Sequence, residues 1–118
     1  MHKVAIVVLA DTTPADGLGR IVNALTAAQE FKEGGDKVQV LFTGTGTKWI
    51  GELVKPDHLL HSVYVGLKDC VTGACGFCAG AFGVAEAAKS NGVCLLEDYG
   101  KNMSYRKLIQ DGYLILTF

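Results

Sequence analysis

The segment of this chain whose residue types and spacing could do chemistry is Cys75-Gly-Phe-Cys78. A thiolate is at once a nucleophile and a metal ligand. Two thiols separated by two residues can close a disulfide, or one can resolve chemistry on the other. The surrounding run, Cys70-Val-Thr-Gly-Ala-Cys75-Gly-Phe-Cys78-Ala-Gly-Ala-Phe-Gly83-Val84, reads as a strand end, a tight turn and a helix start. Unpaired N–H groups at a helix start lower the pKa of a thiol. Gly73, Gly76 and Gly80 would let the backbone turn sharply and leave a sulfur accessible. Cys75 and Cys78 are therefore the candidate catalytic pair.

Two other roles compete for the cysteines. Cys70, Cys75, Cys78 and the distant Cys94 give a C-x4-C-x2-C pattern with a fourth thiol, which resembles the spacing of plant-type two-iron ferredoxins. The interval to Cys94 is short for that spacing, and Cys94 lies in an apolar run expected to be a buried strand. Zinc more usually takes two CxxC-type knuckles, and only one is present. No metal is expected on these grounds. Free cysteine also serves as a small buried hydrophobe. That reading is favoured for Cys94 and leaves Cys70 undecided.

A second candidate segment is Thr43-Gly-Thr-Gly-Thr-Lys48, because glycine loops at helix starts present N–H groups to anions. It lacks the GxxxxGK[ST] spacing of a phosphate loop, so a tight strand-to-helix turn is the simpler reading. Gly44, Gly46, Thr47 and Lys48 remain candidate substrate contacts, with Lys48 as a cation for a small anion. His58 and His61, three apart, would share a helix face. With no carboxylate or cysteine beside them in sequence they make a weak metal pair. Trp49 is expected in the core or at a subunit contact. Asp11 suits an Asx-turn better than catalysis. No Ser/His/Asp order or paired carboxylates stand out.

The elements that must position these residues follow from periodicity. Lys3 to Ala10 is a continuous β-branched run, expected of a strand covered on both faces. Leu18, Ile21, Val22, Leu25, Ala28 and Phe31 recur at helical spacing, and Gly34-Gly35 ends that helix. Lys37–Phe42 is a second strand, and a helix over about 49–54 follows. Asp57 can cap a further helix carrying Leu59, Leu60, Val63 and Leu67. A short strand near 69–72 precedes the cysteine turn, and a helix spans roughly 79–89. Val93–Leu96 reads as a central strand, Ser104 as the N-cap of a helix to Gln110, and Tyr113–Phe118 as the last strand. Alternating strands and helices are the signature of a parallel sheet with helices on both faces. In such sheets sites form beyond the carboxyl ends of the strands. Residues 11–17, 43–48 and 73–78 all follow strands and belong on that edge.

Composition bounds the rest. At 118 residues there is room for a single domain. With 49% hydrophobic and 19% charged residues the chain is globular, not disordered. A net charge of -1 argues against a general nucleic-acid binder. No apolar run approaches the roughly 20 residues that span a bilayer. Val4–Ala10 reads as a first strand rather than a signal peptide, so the reducing cytoplasm is the expected compartment. There, four cysteines suggest thiol chemistry or metal more than structural disulfides.

On these residues the sequence resembles the DsrE/DsrF-like family of small sulfur-relay proteins. The resemblance covers nearly the whole chain: the opening strand, the helix Gly17-Leu-Gly-Arg-Ile-Val-Asn-Ala-Leu25, the strand leading to Gly44, and Leu108-Ile-Gln-Asp-Gly-Tyr113 with its terminal strand. The family's cysteine follows the third strand, with Gly and an apolar residue eight and nine positions later. Here Gly83 and Val84 stand at those distances from Cys75. The resemblance implies a three-layer α/β/α domain with a mainly parallel five-stranded sheet. It implies a sulfur carrier or sulfurtransferase-like protein that holds a persulfide on Cys75 and uses no cofactor. It further implies sulfur donor and acceptor proteins as partners, and a homo-oligomeric trimer or hexamer. Cys78 is a second thiol that the family pattern does not require; it could release the sulfur as a disulfide forms, or guard against over-oxidation. Two alternatives stand beside this: a non-catalytic module binding a small anion or nucleotide through the glycine loops, and a thiol redox or metal-binding module.

Overall fold

A computed structural model describes all 118 residues. Its centre is strand β1 (Lys3–Val8), in which Val4 through Val8 are completely buried. The run is apolar at every position because both faces of the strand are covered. Strand β2 (Lys37–Phe42) lies beside it, then β3 (Val71–Cys75) and β4 (Leu95–Leu96), while β5 (Leu114–Thr117) pairs with the other side of β1. The sheet order is β4-β3-β2-β1-β5 and every pairing is parallel.

Helices α1 (Asp16–Glu33), α2 (Trp49–Leu53), α3 (His61–Gly66) and α5 (Ala85–Ser90) cover one face. Ile21, Leu25, Ile50, Leu53, Tyr64 and Ala88 from these helices meet Val4, Ile6, Val8, Val40 and Phe42 in the larger core. The opposite face carries Ala5, Val7, Leu41 and Cys75; the buried residues that cover them are Met103 and Leu108, the latter from α6 (Tyr105–Gln110), with Cys78 and Tyr113 partly buried at the margin. Handedness explains the imbalance. Right-handed crossovers that step outward from β1 to β4 all place their helices on one face, and the return from β4 to β5 must use the other. One six-residue helix and its leading loop therefore serve a whole sheet face.

Several sequence expectations are corrected. Val93–Leu96 is not a central strand: β4 has two residues and sits at an edge, and Cys94 before it is exposed rather than buried. The helix expected over 79–89 is two helices, α4 (Gly76–Ala81) and α5, because Gly83 adopts φ +69°, which no helix accommodates. The third strand runs later than 69–72, through Cys75 itself. The helix near Asp57 begins only at His61, so His58 and His61 do not share its face. Ser104 caps α6 as expected, its Oγ accepting from the Lys107 N–H at 3.1 Å. No helix is long and apolar enough to cross a membrane.

Candidate functional site

Cys75 is the last residue of β3 and the N-cap of α4, and Cys78 is the third residue of that helix. The strand end fixes one sulfur and the first helical turn brings the other back towards it. Both belong to the thinly covered sheet face: Cys75 is buried within it and Cys78, partly exposed, packs against it. All four cysteines are free thiols.

The polar surroundings of Cys75 come from three separate segments. As a thiol, its Sγ lies 3.6 Å from Asn102 Oδ1, to which it donates. As a thiolate it can accept from the backbone N–H groups of Cys78 and Met103, from the Cys78 thiol and from the Thr43 hydroxyl. Burial pushes this thiol up, and those donors outweigh burial, so the net direction is below its ordinary value of 9.0. Thr43 Oγ1 also lies 3.6 Å from Cys78 Sγ, so one buried hydroxyl serves both sulfurs. Tyr105 closes the rim. Burial first, and then the charges of Cys75 and Cys78, raise its hydroxyl above 10.0, with the Thr43 hydroxyl opposing.

The loop at 97–104 reaches this place because of the sheet order. It leaves β4 at the carboxyl edge and must cross the end of β3 before α6 can descend the far face. Phe77 N–H donates to the Lys101 carbonyl at 2.8 Å, and Tyr99 and Asn102 exchange backbone hydrogen bonds of 2.9 and 3.0 Å. The bare Cα of Gly76 permits that docking, since a Cβ there would lie 2.8 Å from the Glu97 side chain. Asn102, Met103 and Tyr105 are site residues that motif spacing did not show; Thr43 stands in the glycine loop, but the spacing did not show its contact with the thiols.

The residues of the glycine loop are placed as follows. The segment Gly44–Lys48 is a 3-10 turn. Thr47 is fully buried and its Oγ1 donates to the Gly44 carbonyl at 2.8 Å. Gly46 sits against the Val8 carbonyl with no room for a side chain, and its N–H is spent on the Thr43 carbonyl. Lys48 alone offers a half-exposed charge; its Nζ lies 3.2 Å from Asp11 Oδ1 and 5.5 Å from the Phe82 ring centre. The Thr12 backbone N–H, at 2.7 Å, and then Lys48 hold the Asp11 carboxyl below its ordinary range.

Other singled-out residues have structural partners. Trp49 is buried, and its Nε1–H donates to the Ala10 carbonyl at 2.9 Å. His58 Nδ1 accepts from the Leu60 N–H, and His61 Nδ1 meets the Leu53 carbonyl. Cys70 packs against the larger core, and burial raises its thiol. No three His, Cys, Asp or Glu side chains converge as a metal-binding group.

An open groove of about 510 Å³ is lined by Tyr99, Met103, Tyr105, Arg106 and Gln110, among others, and it shares Met103 and Tyr105 with the surroundings of Cys75. Phe77, in the cysteine helix, and Phe82, at its C-cap, are 56% and 41% exposed.

No family model matches the chain. The conserved protein of unknown function BT1422 from Bacteroides thetaiotaomicron has a similar structure, with a TM-score of 0.62 over 97% of this chain and 94% of that one. The two are 18% identical, and the likeness speaks for the fold. The uncharacterized protein MJ0733 of Methanocaldococcus jannaschii is 31% identical over 96 residues, which cover 81% of this chain and 78% of that protein. This chain belongs to the same family as MJ0733.

Proposed function

We propose that the Cys75–Cys78 pair carries sulfane sulfur as a cysteine persulfide, in a sulfur carrier or sulfurtransferase-like protein of the DsrE/DsrF type. The observation that supports this reading best is the donor set around Cys75. Two backbone N–H groups, a thiol and a hydroxyl converge on a sulfur that burial would otherwise keep protonated. A core cysteine with only a packing role has no use for such a set. A persulfide has the same need, because its terminal sulfur carries negative charge and is stabilised by the same donors. The exposed Phe77 and Phe82 and the groove beside Tyr105 suit a protein donor or acceptor that presents its own cysteine here. Lys48 supplies positive charge on the same edge.

The test is uptake of sulfane sulfur. Reduced protein incubated with a persulfide donor shows a gain of one sulfane sulfur, read by mass spectrometry after alkylation where it is retained and as sulfide where it is released. The gain disappears in the double variant Cys75→Ser, Cys78→Ser. A gain that persists in the double variant overturns the reading.

A further inference from the structure

Cys75 and Cys78 differ in what can reach them. Cys75 is 1% exposed and packs among Ala5, Val7, Leu41, Met103 and Leu108. Cys78 is partly exposed and follows Phe77, whose ring is largely in solvent. A donor too large to enter the core must meet Cys78 first. Thr43 Oγ1, 3.6 Å from Cys78 Sγ, holds that thiol against the site, and Cys78 sits one helical turn from Cys75 on the same sheet face. The family resemblance gives the receiving role to Cys75; the burial pattern reverses it.

We propose that Cys78 receives the sulfane sulfur and that the inner Cys75 displaces it as hydrogen sulfide, a persulfide-reducing activity that rests on the persulfide reading above. In the first step Cys78 Sγ attacks the terminal sulfur of a cysteine-type persulfide. A new S–S bond forms on Cys78, the donor's S–S bond breaks, and the donor leaves as its thiolate. The Cys75 thiolate takes the proton that Cys78 gives up. In the second step Cys75 Sγ attacks Cys78 Sγ and returns that proton to the departing sulfur. A Cys75–Cys78 disulfide forms and hydrogen sulfide leaves. The two cysteine sulfurs together lose two electrons and the sulfane sulfur gains them. Thiol attack on sulfur runs in line with the bond that breaks. With Cys75 on the interior side of Cys78, the leaving sulfur faces solvent. A dithiol reductant then reopens the disulfide for the next cycle.

The experiment uses desalted, reduced protein, one equivalent of glutathione persulfide and no added reductant. Wild-type protein is expected to release stoichiometric sulfide and to become lighter by two hydrogens. Cys75→Ser is expected to hold the extra sulfur on Cys78, with sulfide release lowered at least roughly tenfold for want of the resolving thiol. Cys75→Ala, which leaves no polar atom in the buried position, gives the same outcome and guards against misfolding of the serine variant. Cys78→Ser takes up sulfur far more slowly than wild type. Uptake by Cys78→Ser at the wild-type rate, or an extra sulfur that stays on wild-type protein without sulfide release, overturns the proposal and leaves the persulfide reading standing. Wild-type protein that neither gains sulfur nor releases sulfide overturns the persulfide reading itself.

Discussion

Burial and ionisation oppose each other at Cys75, and the balance rests on a few named atoms. The sulfur is enclosed by apolar side chains, which favours the neutral thiol, yet N–H groups from Cys78 and Met103 and the hydroxyl of Thr43 face it. Ultraviolet titration of thiolate absorbance is expected to show one group ionising below 9.0, lost in Cys75→Ser. Linkage gives the sign for stability. A folded-state pKa below the unfolded one adds stability that is complete above the unfolded value and is lost as pH falls through the folded value. Urea unfolding of wild type and Cys75→Ser across that window should differ by a wild-type loss of stability on acidification that the variant lacks. Thr43→Val keeps the shape of the side chain and deletes its hydroxyl. It should move the thiolate midpoint upward and cost about 1 kcal/mol of stability. The CxxC was legible at this scale because both sulfurs lie on one short segment. Thr43 was not, because its contact with them spans 35 positions in sequence.

At the scale of elements, the sequence carried what is local. Helical spacing, the Gly34-Gly35 stop and the Ser104 cap all depend on near neighbours, and each is found. Missed were features that depend on which strands are adjacent. Val93–Leu96 is apolar enough for a central strand, but the chain steps outward at every crossover, so it falls at an edge and shortens to two residues. Asn102 and Met103 lie in a loop whose residue types promise nothing, and only the strand order carries them past Cys75. Ser104→Ala is expected to destabilise by about 1 kcal/mol, the usual value of an N-cap. It should also quicken alkylation of Cys75, because the cap anchors the loop that covers the sulfur; equal alkylation rates would show the loop to be held elsewhere. Gly46→Ala drives a methyl group into the Val8 carbonyl. A loss of about 1–3 kcal/mol is expected from such overpacking, measured as a lowered Tm.

Across the whole molecule, stability is unevenly shared between the two sheet faces. Four helices and most of the core lie on one face, and a single short helix lies on the other. Amide hydrogen exchange should find β1 and β2 slowest, with the 97–104 loop and α6 opening well below the global unfolding free energy. Uniform protection of α6 and β1 would contradict this. The parallel pairing of β1 with β5 joins the earliest of these five strands to the latest, Val4 standing opposite Leu114. During synthesis on the ribosome, Cys75 therefore emerges well before Asn102 and Met103, and before the strand that lets α6 settle over it. The nascent chain holds an ordinary, uncovered thiol, and its special acidity arrives only when the C-terminal segment docks. A chain that stalls or is cut before that segment is complete carries both cysteines but lacks the Met103 N–H that helps hold Cys75 below its ordinary value.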